Sequence, residues 1–312
     1  MHPRLRLILA AATLTTLAHA RCLLAQSENS SPLLISAAQL DKQLADPQLV
    51  LLHVGPKDDY DAGHIRGARY VDMSMLAADR GDGALSLELP GIDDLRGRLE
   101  RLGIGDKSRV IVVPGADWGS PATRVVWTLQ VAGLGARTQL LEGGTTGWKR
   151  AGLPLTTAVP PAATPGRLTL RPDRSIVVDH AWVQARLRQP DFHLIDARAP
   201  VFYSGPGMKM RDGTQHDAGH IPGAHNLPFN TLFNDSLEFI SKGAMQAAFA
   251  EAGVKPGDTV VAYCHVGQQA TMVLFAARLL GHPIKLYDGS FEDWDRLKLP
   301  VEKTTAPAPA RE

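Results

Sequence analysis

The chain is poor in most of the features that announce a purpose. Of 312 residues only two are cysteine, Cys22 and Cys264, so neither a disulfide framework nor a cysteine-based zinc site is available. No charge of either sign dominates: 33 Lys and Arg face 32 Asp and Glu, a formal charge of +1. Such a balance gives no field to hold a phosphate backbone, which excludes nucleic acid as the main partner. After the first residues no apolar run reaches the ~18–20 residues of a membrane span. What remains is ordinary globular composition, 44% hydrophobic and 21% charged, which excludes disorder. The length suits two domains at roughly 150 residues each.

The N-terminus reads as an address. Arg4 and Arg6 precede an uncharged run from Leu7 to Ala20, and Ala18-His19-Ala20 offers the small residues a signal peptidase accepts. A second cut after Ala25 would remove Cys22 as well, and an uncleaved anchor is the structural alternative. A lipoprotein would acylate Cys22, but Arg21 stands where a small side chain is wanted. The expectation is a signal peptide over residues 1–25 and a periplasmic or secreted protein with no stable membrane insertion after cleavage.

The body of the chain is a repeat written twice. Ala62-Gly63-His64-Ile65-Arg66-Gly67-Ala68 returns as Ala218-Gly219-His220-Ile221-Pro222-Gly223-Ala224. Ala122-Thr123 and an apolar stretch to Gly133 answer Ala270-Thr271 and one to Gly281. Glu142-Gly143-Gly144, closing on Trp148, answers Asp288-Gly289, closing on Trp294. Collinear anchors of this kind mark a duplication. Prolines 154, 160, 161, 165 and 172 then mark a stiff linker. The expected domains are residues 33–154 and 176–300, joined by a linker at 155–175 and followed by a disordered tail at 301–312.

Periodicity in the second copy alternates between helix and strand. Asp179 and Ser241 are placed to cap helices, the first through Leu187 and the second to Ala252, and Phe192 to Ala197 forms a short apolar strand. Thr259 to Tyr263 is a continuous β-branched and apolar run, as in a strand buried on both faces of a parallel sheet. Ala270 to Leu280 is an apolar helix stopped by Gly281, and Ile284 to Tyr287 is a further strand. This is a βαβ unit, so the fold class is α/β, each half a mainly parallel β-sheet flanked by helices. Chemistry in such sheets gathers where strands end and helices begin.

The loop at that junction, Cys264-His265-Val266-Gly267-Gln268-Gln269, carries the one remaining cysteine. Unpaired N–H groups at a helix start, with a glycine allowing tight curvature, make a cradle that favours negative charge, so a thiolate there is stabilised. A lone cysteine is more often an inert core residue. Its location at a strand-to-helix turn, and its solitude in an oxidising compartment, argue for a nucleophile instead.

Taken together, the duplicated Gly-His-Ile element, Ile195-Asp196-Ala197-Arg198 closing a strand, the cysteine loop and the Asp-Gly…Trp ending resemble the tandem two-domain rhodanese-type sulfurtransferases over about residues 33–300. The resemblance implies two rhodanese-like domains, a catalytic second one and a non-catalytic first. The register that sets Thr123 against Thr271 sets Ala116 against Cys264, and His53-Val54-Gly55 replaces Asp196-Ala197-Arg198. The implied reaction is transfer of sulfane sulfur from a small anionic donor to a thiophilic acceptor, such as cyanide or a thiol, through a Cys264 persulfide. It needs no cofactor and no metal, and oligomeric state stays open.

The resemblance also places substrate binding at Arg198 and at the loop residues His265, Val266, Gly267, Gln268 and Gln269, whose N–H groups would solvate the persulfide. Lys209 and Arg211, in a Gly-rich insertion from Val201 to Gln215, are possible donor contacts or simply solvated charges. His64, His220 and Asp196 read as structural hydrogen-bonding groups, and the role of His265 is left open. Val266 stands where thiosulfate users resemble one another in having a cation. Val266 and His53 also occupy two positions of the proton relay proposed for mercaptopyruvate users. Thiosulfate is favoured, because it leaves as sulfite without a relay; mercaptopyruvate is the alternative. A non-enzymatic persulfide carrier or sensor needs the same thiolate. A phosphatase of this fold would end its loop on arginine, where this chain has Ala270.

Overall fold

The computed structural model describes residues 33–303, apart from 82, 117–118, 188, 190–191, 205–207, 210–214 and 217–218. The expected signal peptide, Arg211 and residues 304–312 of the expected tail lie outside the described residues.

Both halves are α/β. The first sheet uses β1 (Leu34–Ile35), β2 (Leu49–Val54), β3 (Arg69–Val71), β4 (Arg109–Pro114) and β5 (Thr138–Leu141), ordered β1-β5-β4-β2-β3. The second uses β6 (Val177–Val178), β7 (His193–Asp196), β10 (His225–Asn226), β11 (Val260–Tyr263) and β12 (Ile284–Tyr287), ordered β10-β7-β11-β12-β6. Read from the opposite edge, that is the same order, and every pairing in both sheets is parallel. Between β7 and β10 the insertion forms an antiparallel pair, β8 (Met208–Lys209) and β9 (Gln215–His216). The described residues form one compact unit.

Local chemistry explains the elements around the cysteine. Asp179 accepts from Trp182 N at 2.8 Å and caps His180–Gln184, a helix shorter than the periodicity predicts. Ser241 accepts from Ala244 N at 3.2 Å and caps Lys242–Glu251. Central strand β11 is wholly buried, and its side chains alternate between two cores as a pleated strand requires. Val260 and Ala262 face the core that also takes Cys264, while Val261 and Tyr263 face the other.

The repeats close in the same way. Trp148 Nε1 donates to the Pro154 carbonyl at 3.0 Å, and Trp294 Nε1 to that of Pro300 at 2.8 Å. The chain then bridges back to the Gly-His-Ile histidine, Thr156 to His64 and Glu302 to His220. Thr156 and Glu302, each two residues past the expected domain boundary, thus bond back to the domain that precedes them. The linker is stiffened by pinning as well as by proline: Gly166 N donates to the Glu100 carbonyl at 2.9 Å, and Thr169 N to Asp106 Oδ1 at 2.7 Å.

The halves pack through equivalent helices, Ser120–Val131 and Ala270–Leu279, both buried nearly all round. Trp127 and Val131 of the first join the second domain's core, and Phe275 of the second joins the first domain's. The segment after the first domain's β3 straps onto helix Ser290–Arg296: Glu292 Oε2 accepts from Ser86 N at 2.8 Å, and Arg296 Nη1 donates to the Gly83 carbonyl at 2.5 Å.

Candidate active site

Cys264 leaves the end of β11 as a free thiol with no exposed surface. Two flanking bonds fix its backbone: its N–H donates to Ser290 Oγ at 3.2 Å, and its carbonyl accepts from Phe291 N at 3.0 Å. Ser290 is fully buried and holds a left-handed backbone, φ 53°, which is costly for a residue with a Cβ. Its hydroxyl proton goes to the Tyr287 carbonyl at 2.9 Å, so the oxygen lone pairs are turned to Cys264. Residue-by-residue reading missed Ser290. The signal was present in the repeat, where Gly144, φ 51°, takes this conformation in the first domain.

The loop that follows turns at Gly267, φ 76°, into helix Ala270–Leu279. The backbone N–H groups of Val266, Gly267, Gln268 and Gln269 have no hydrogen-bond acceptor among the described residues. They are donors held ready at the N-terminal end of a helix, where the peptide dipoles favour an anion. His265 sets its ring edge-on to Phe202, centroids 4.6 Å apart, and its carbonyl accepts from Glu292 N at 3.0 Å. Gln268 Nε2 crosses the interface to Ser120 Oγ at 2.9 Å, and Gln269 Oε1 is buried without a partner among the described residues.

Arg198 is 1% exposed. Its Nε lies 3.0 and 3.1 Å from the two Asp196 oxygens, and Nη2 donates to Asp196 Oδ2 and to the Gly219 carbonyl, each at 2.6 Å. Nη1 makes no hydrogen bond among the described residues. The guanidinium carbon stands 4.0 Å over the Phe291 ring. Burial works against this charge, but the bonds to Asp196 outweigh it and hold the group cationic, above its ordinary value, with the neighbouring Cys264 also favouring the cation. Asp196 takes a further bond from Tyr263, whose hydroxyl accepts from Ile221 N at 3.0 Å and donates to Oδ2 at 2.7 Å. Burial, then the Asp196 charge, push that hydroxyl well above its ordinary value, so it stays a donor. The residue before the cysteine is thus wired to the cation.

The remaining candidates fall elsewhere. Lys209 is exposed on β8, and its side chain makes no hydrogen bond or ion pair among the described residues. His64 stacks on Tyr60 with centroids 3.9 Å apart, its Nδ1 2.9 Å from the Tyr60 carbonyl and its Nε2 3.3 Å from that of Ala158. His220 repeats this on Tyr203, 3.8 Å between centroids, with Nδ1 3.0 Å from the Tyr203 carbonyl. In the first domain His53 stands where Asp196 stands in the second. It is fully buried, and neither ring nitrogen has a hydrogen-bond partner among the described residues. Burial, and secondarily His64, lower its pKa to about 4, so it is neutral near pH 7. Among the described residues no cluster of three His, Cys, Asp or Glu is placed to hold a metal ion, and no helix is long and apolar enough to cross a membrane.

This duplicated sheet with a loop-borne cysteine defines a known class. The rhodanese-like domain family matches residues 36–151 and 179–297. The chain is 34% identical over 277 residues to a probable 3-mercaptopyruvate sulfurtransferase of Pseudomonas aeruginosa, covering 85% of this chain and 95% of that one. It is 30% identical over 270 residues to a thiosulfate sulfurtransferase of Azotobacter vinelandii, covering 85% and 94%. The crystal structure of SseA from Escherichia coli, described as a 3-mercaptopyruvate sulfotransferase, superimposes with a TM-score of 0.71 at 26% identity, over 83% of this chain and 99% of that one. The chain therefore belongs to the rhodanese family, as a tandem-domain sulfurtransferase related to the thiosulfate and 3-mercaptopyruvate enzymes.

Proposed function

We propose that Cys264 is the sulfur-carrying residue and that thiosulfate is the donor it serves best. The observation that carries the first statement is the junction itself: a solitary thiol followed by four backbone N–H groups without acceptors among the described residues. The thiolate attacks the outer sulfur of thiosulfate. The S–S bond of the donor breaks with its electron pair going to sulfite, and Cys264 gains a terminal sulfur as the persulfide anion. Cyanide or a thiolate then attacks that terminal sulfur, the Cys264 S–S bond breaks, and the thiolate is regenerated. The loop N–H groups solvate the anion throughout, and the Arg198 charge faces the donor's oxygens.

The donor reading rests on the positions of Val266, His53 and His64, where the resemblance to mercaptopyruvate users places a proton relay. Mercaptopyruvate leaves as an enolate that benefits from a positioned proton donor, whereas sulfite needs none. Val266 offers no proton, His53 is buried and neutral, and both nitrogens of His64 face backbone carbonyls. Steady-state kcat/KM for thiosulfate and for mercaptopyruvate, with cyanide as acceptor, tests it. A higher value for thiosulfate supports the reading, and a higher value for mercaptopyruvate overturns it. Turnover with a small acceptor also separates an enzyme from a persulfide carrier that only loads. Export rests on the leader alone: expressed whole in a bacterium, the protein should accumulate outside the cytoplasm, starting at Arg21 or Gln26.

A further inference from the structure

Arg124 belongs to the first domain and ends on the second domain's cysteine loop. Its Nη1 donates to the Gly267 carbonyl at 3.1 Å and to Asp288 Oδ1 at 2.6 Å, and Nη2 donates to the Leu87 carbonyl. The side chain is 4% exposed, and Asp288 is itself fixed, accepting from Leu89 N at 3.1 Å. A Cβ on Gly267 would lie 2.7 Å from the Asp288 carbonyl oxygen and 2.9 Å from Arg124 Nη1, so the loop and the clamp are fitted to one another.

The internal repeat supplies a control. The register that sets Thr123 against Thr271 sets Arg124 against Met272 and Gly119 against Gly267. Both glycines are left-handed, φ 72° and 76°. Met272 Cε is the nearest neighbour a Cβ on Gly119 would meet, at 3.1 Å, and Arg124 Nη1 approaches Gly267 in the same way. Each helix thus sends the equivalent side chain to the other domain's left-handed glycine. The one that reaches the loop with Ala116 is apolar; the one that reaches the loop with Cys264 is cationic.

We propose that Arg124 is a positioning residue for sulfur transfer, fixing the Gly267 peptide so that the Gln268 N–H is turned into the cysteine loop. The peptide unit is planar and trans, so its carbonyl and the following N–H point in opposite directions. With the Gly267 oxygen drawn to Arg124 at the interface, the Gln268 N–H faces away from the interface. A left-handed glycine has little steric reason to hold one peptide orientation. A flipped unit would present a carbonyl dipole where an anion has to be stabilised. The first domain, without a nucleophile of its own, contributes the group that keeps the second domain's cradle in order. The inference rests on Cys264 as the site of sulfuration.

The test is single-turnover sulfuration by thiosulfate, with steady-state kcat and KM, on Arg124→Met, Arg124→Lys, Arg150→Met and Cys264→Ser. Rates are normalised to folded protein by thermal unfolding. Arg150 is the interface control: its guanidinium pairs with Glu238 at 2.5 Å and Ser236 at 2.6 Å across the same two domains. Folded Arg124→Met should sulfurate roughly 10- to 100-fold more slowly with KM changed less than about threefold, less than the roughly 100- to 1,000-fold cost of removing a preorganised donor outright. Arg124→Lys should recover part of that loss and Arg150→Met should match wild type. Arg124→Met within threefold of wild type overturns the inference; if it does not fold, Arg124→Gln, which also removes the cation, decides by the same threshold. Cys264→Ser sulfurated at the wild-type rate overturns the proposed site instead, which keeps the two failures distinct.

Discussion

The hydroxyls of Thr123 and Thr271 lie 2.9 Å apart, each buried to 1% exposure, at the crossing of the two central helices. They are equivalent residues of the two repeats, so the contact marks the point about which the halves are related. One turn earlier Ser120 and Gln268, again equivalent, bond to each other. A duplication whose copies meet through the same helix places the loop at each helix start beside the other domain. This is why the first domain, with Ala116 in register with Cys264, still touches the cysteine loop of the second.

Ser290 tests how that site is held. Ser290→Gly relieves the left-handed backbone but loses the hydroxyl that receives the Cys264 N–H, whereas Ser290→Ala loses the hydroxyl and keeps the strain. The glycine variant should be the more stable of the two by about 1 kcal/mol. Both should sulfurate Cys264 more slowly than wild type. Urea unfolding and single-turnover sulfuration check this; equal stability of the two variants would show that the backbone conformation carries no cost.

Much of this was legible beforehand because it is local or repeated. The strand-loop-helix around Cys264 follows from continuous apolar runs and a glycine, and the duplication from short matching elements. What was not legible depends on chain-distant pairs. Arg124 touches Gly267 across 143 positions, and Tyr263 reaches Asp196 across 67. Arg198, read as a residue waiting for substrate, spends two of its nitrogens on Asp196 and Gly219, because a buried guanidinium has to be paired. The pairing of Glu302 with His220 was not legible either, because it uses backbone bonds that any sequence can make.

His53 makes the first domain sensitive to acid. Its pKa is lowered from 6.5 to about 4 by burial, with His64 adding to the effect and Asp59 opposing it. The unfolded chain takes up a proton near its ordinary value while the folded chain resists until about pH 4. Between those values the unfolded state binds the extra proton. Stability from this group is therefore intact above about pH 6.5 and is lost as pH falls toward 4, to an extent of about 3 kcal/mol. His53→Leu should lose less stability than wild type between pH 7 and pH 4.5 in urea unfolding. Equal losses would contradict the buried neutral imidazole.

Arg198 should prove to have two roles. Arg198→Ala leaves Asp196 buried without its cation, which costs on the order of 3–5 kcal/mol of stability. Arg198→Lys keeps the charge but loses the planar fork, and should cost less. If Arg198 also faces the donor, kcat/KM for thiosulfate per folded molecule falls roughly 30- to 1,000-fold in Arg198→Ala, the loss of a charge-assisted contact in a desolvated cleft. Unfolding curves and kinetics on the same samples separate the two, and a full loss of stability with unchanged kcat/KM would remove Arg198 from donor binding.

The central statement is that one thiol carries the sulfur. Mass spectrometry of the intact protein and of its Cys264 peptide after thiosulfate treatment reads this directly. The account predicts one added sulfur atom, located on Cys264, removed by cyanide with thiocyanate formed in equal amount, and absent from Cys264→Ser. A wild-type protein that turns over thiosulfate with no sulfur on Cys264, or a Cys264→Ser protein that turns over at the wild-type rate, would contradict it.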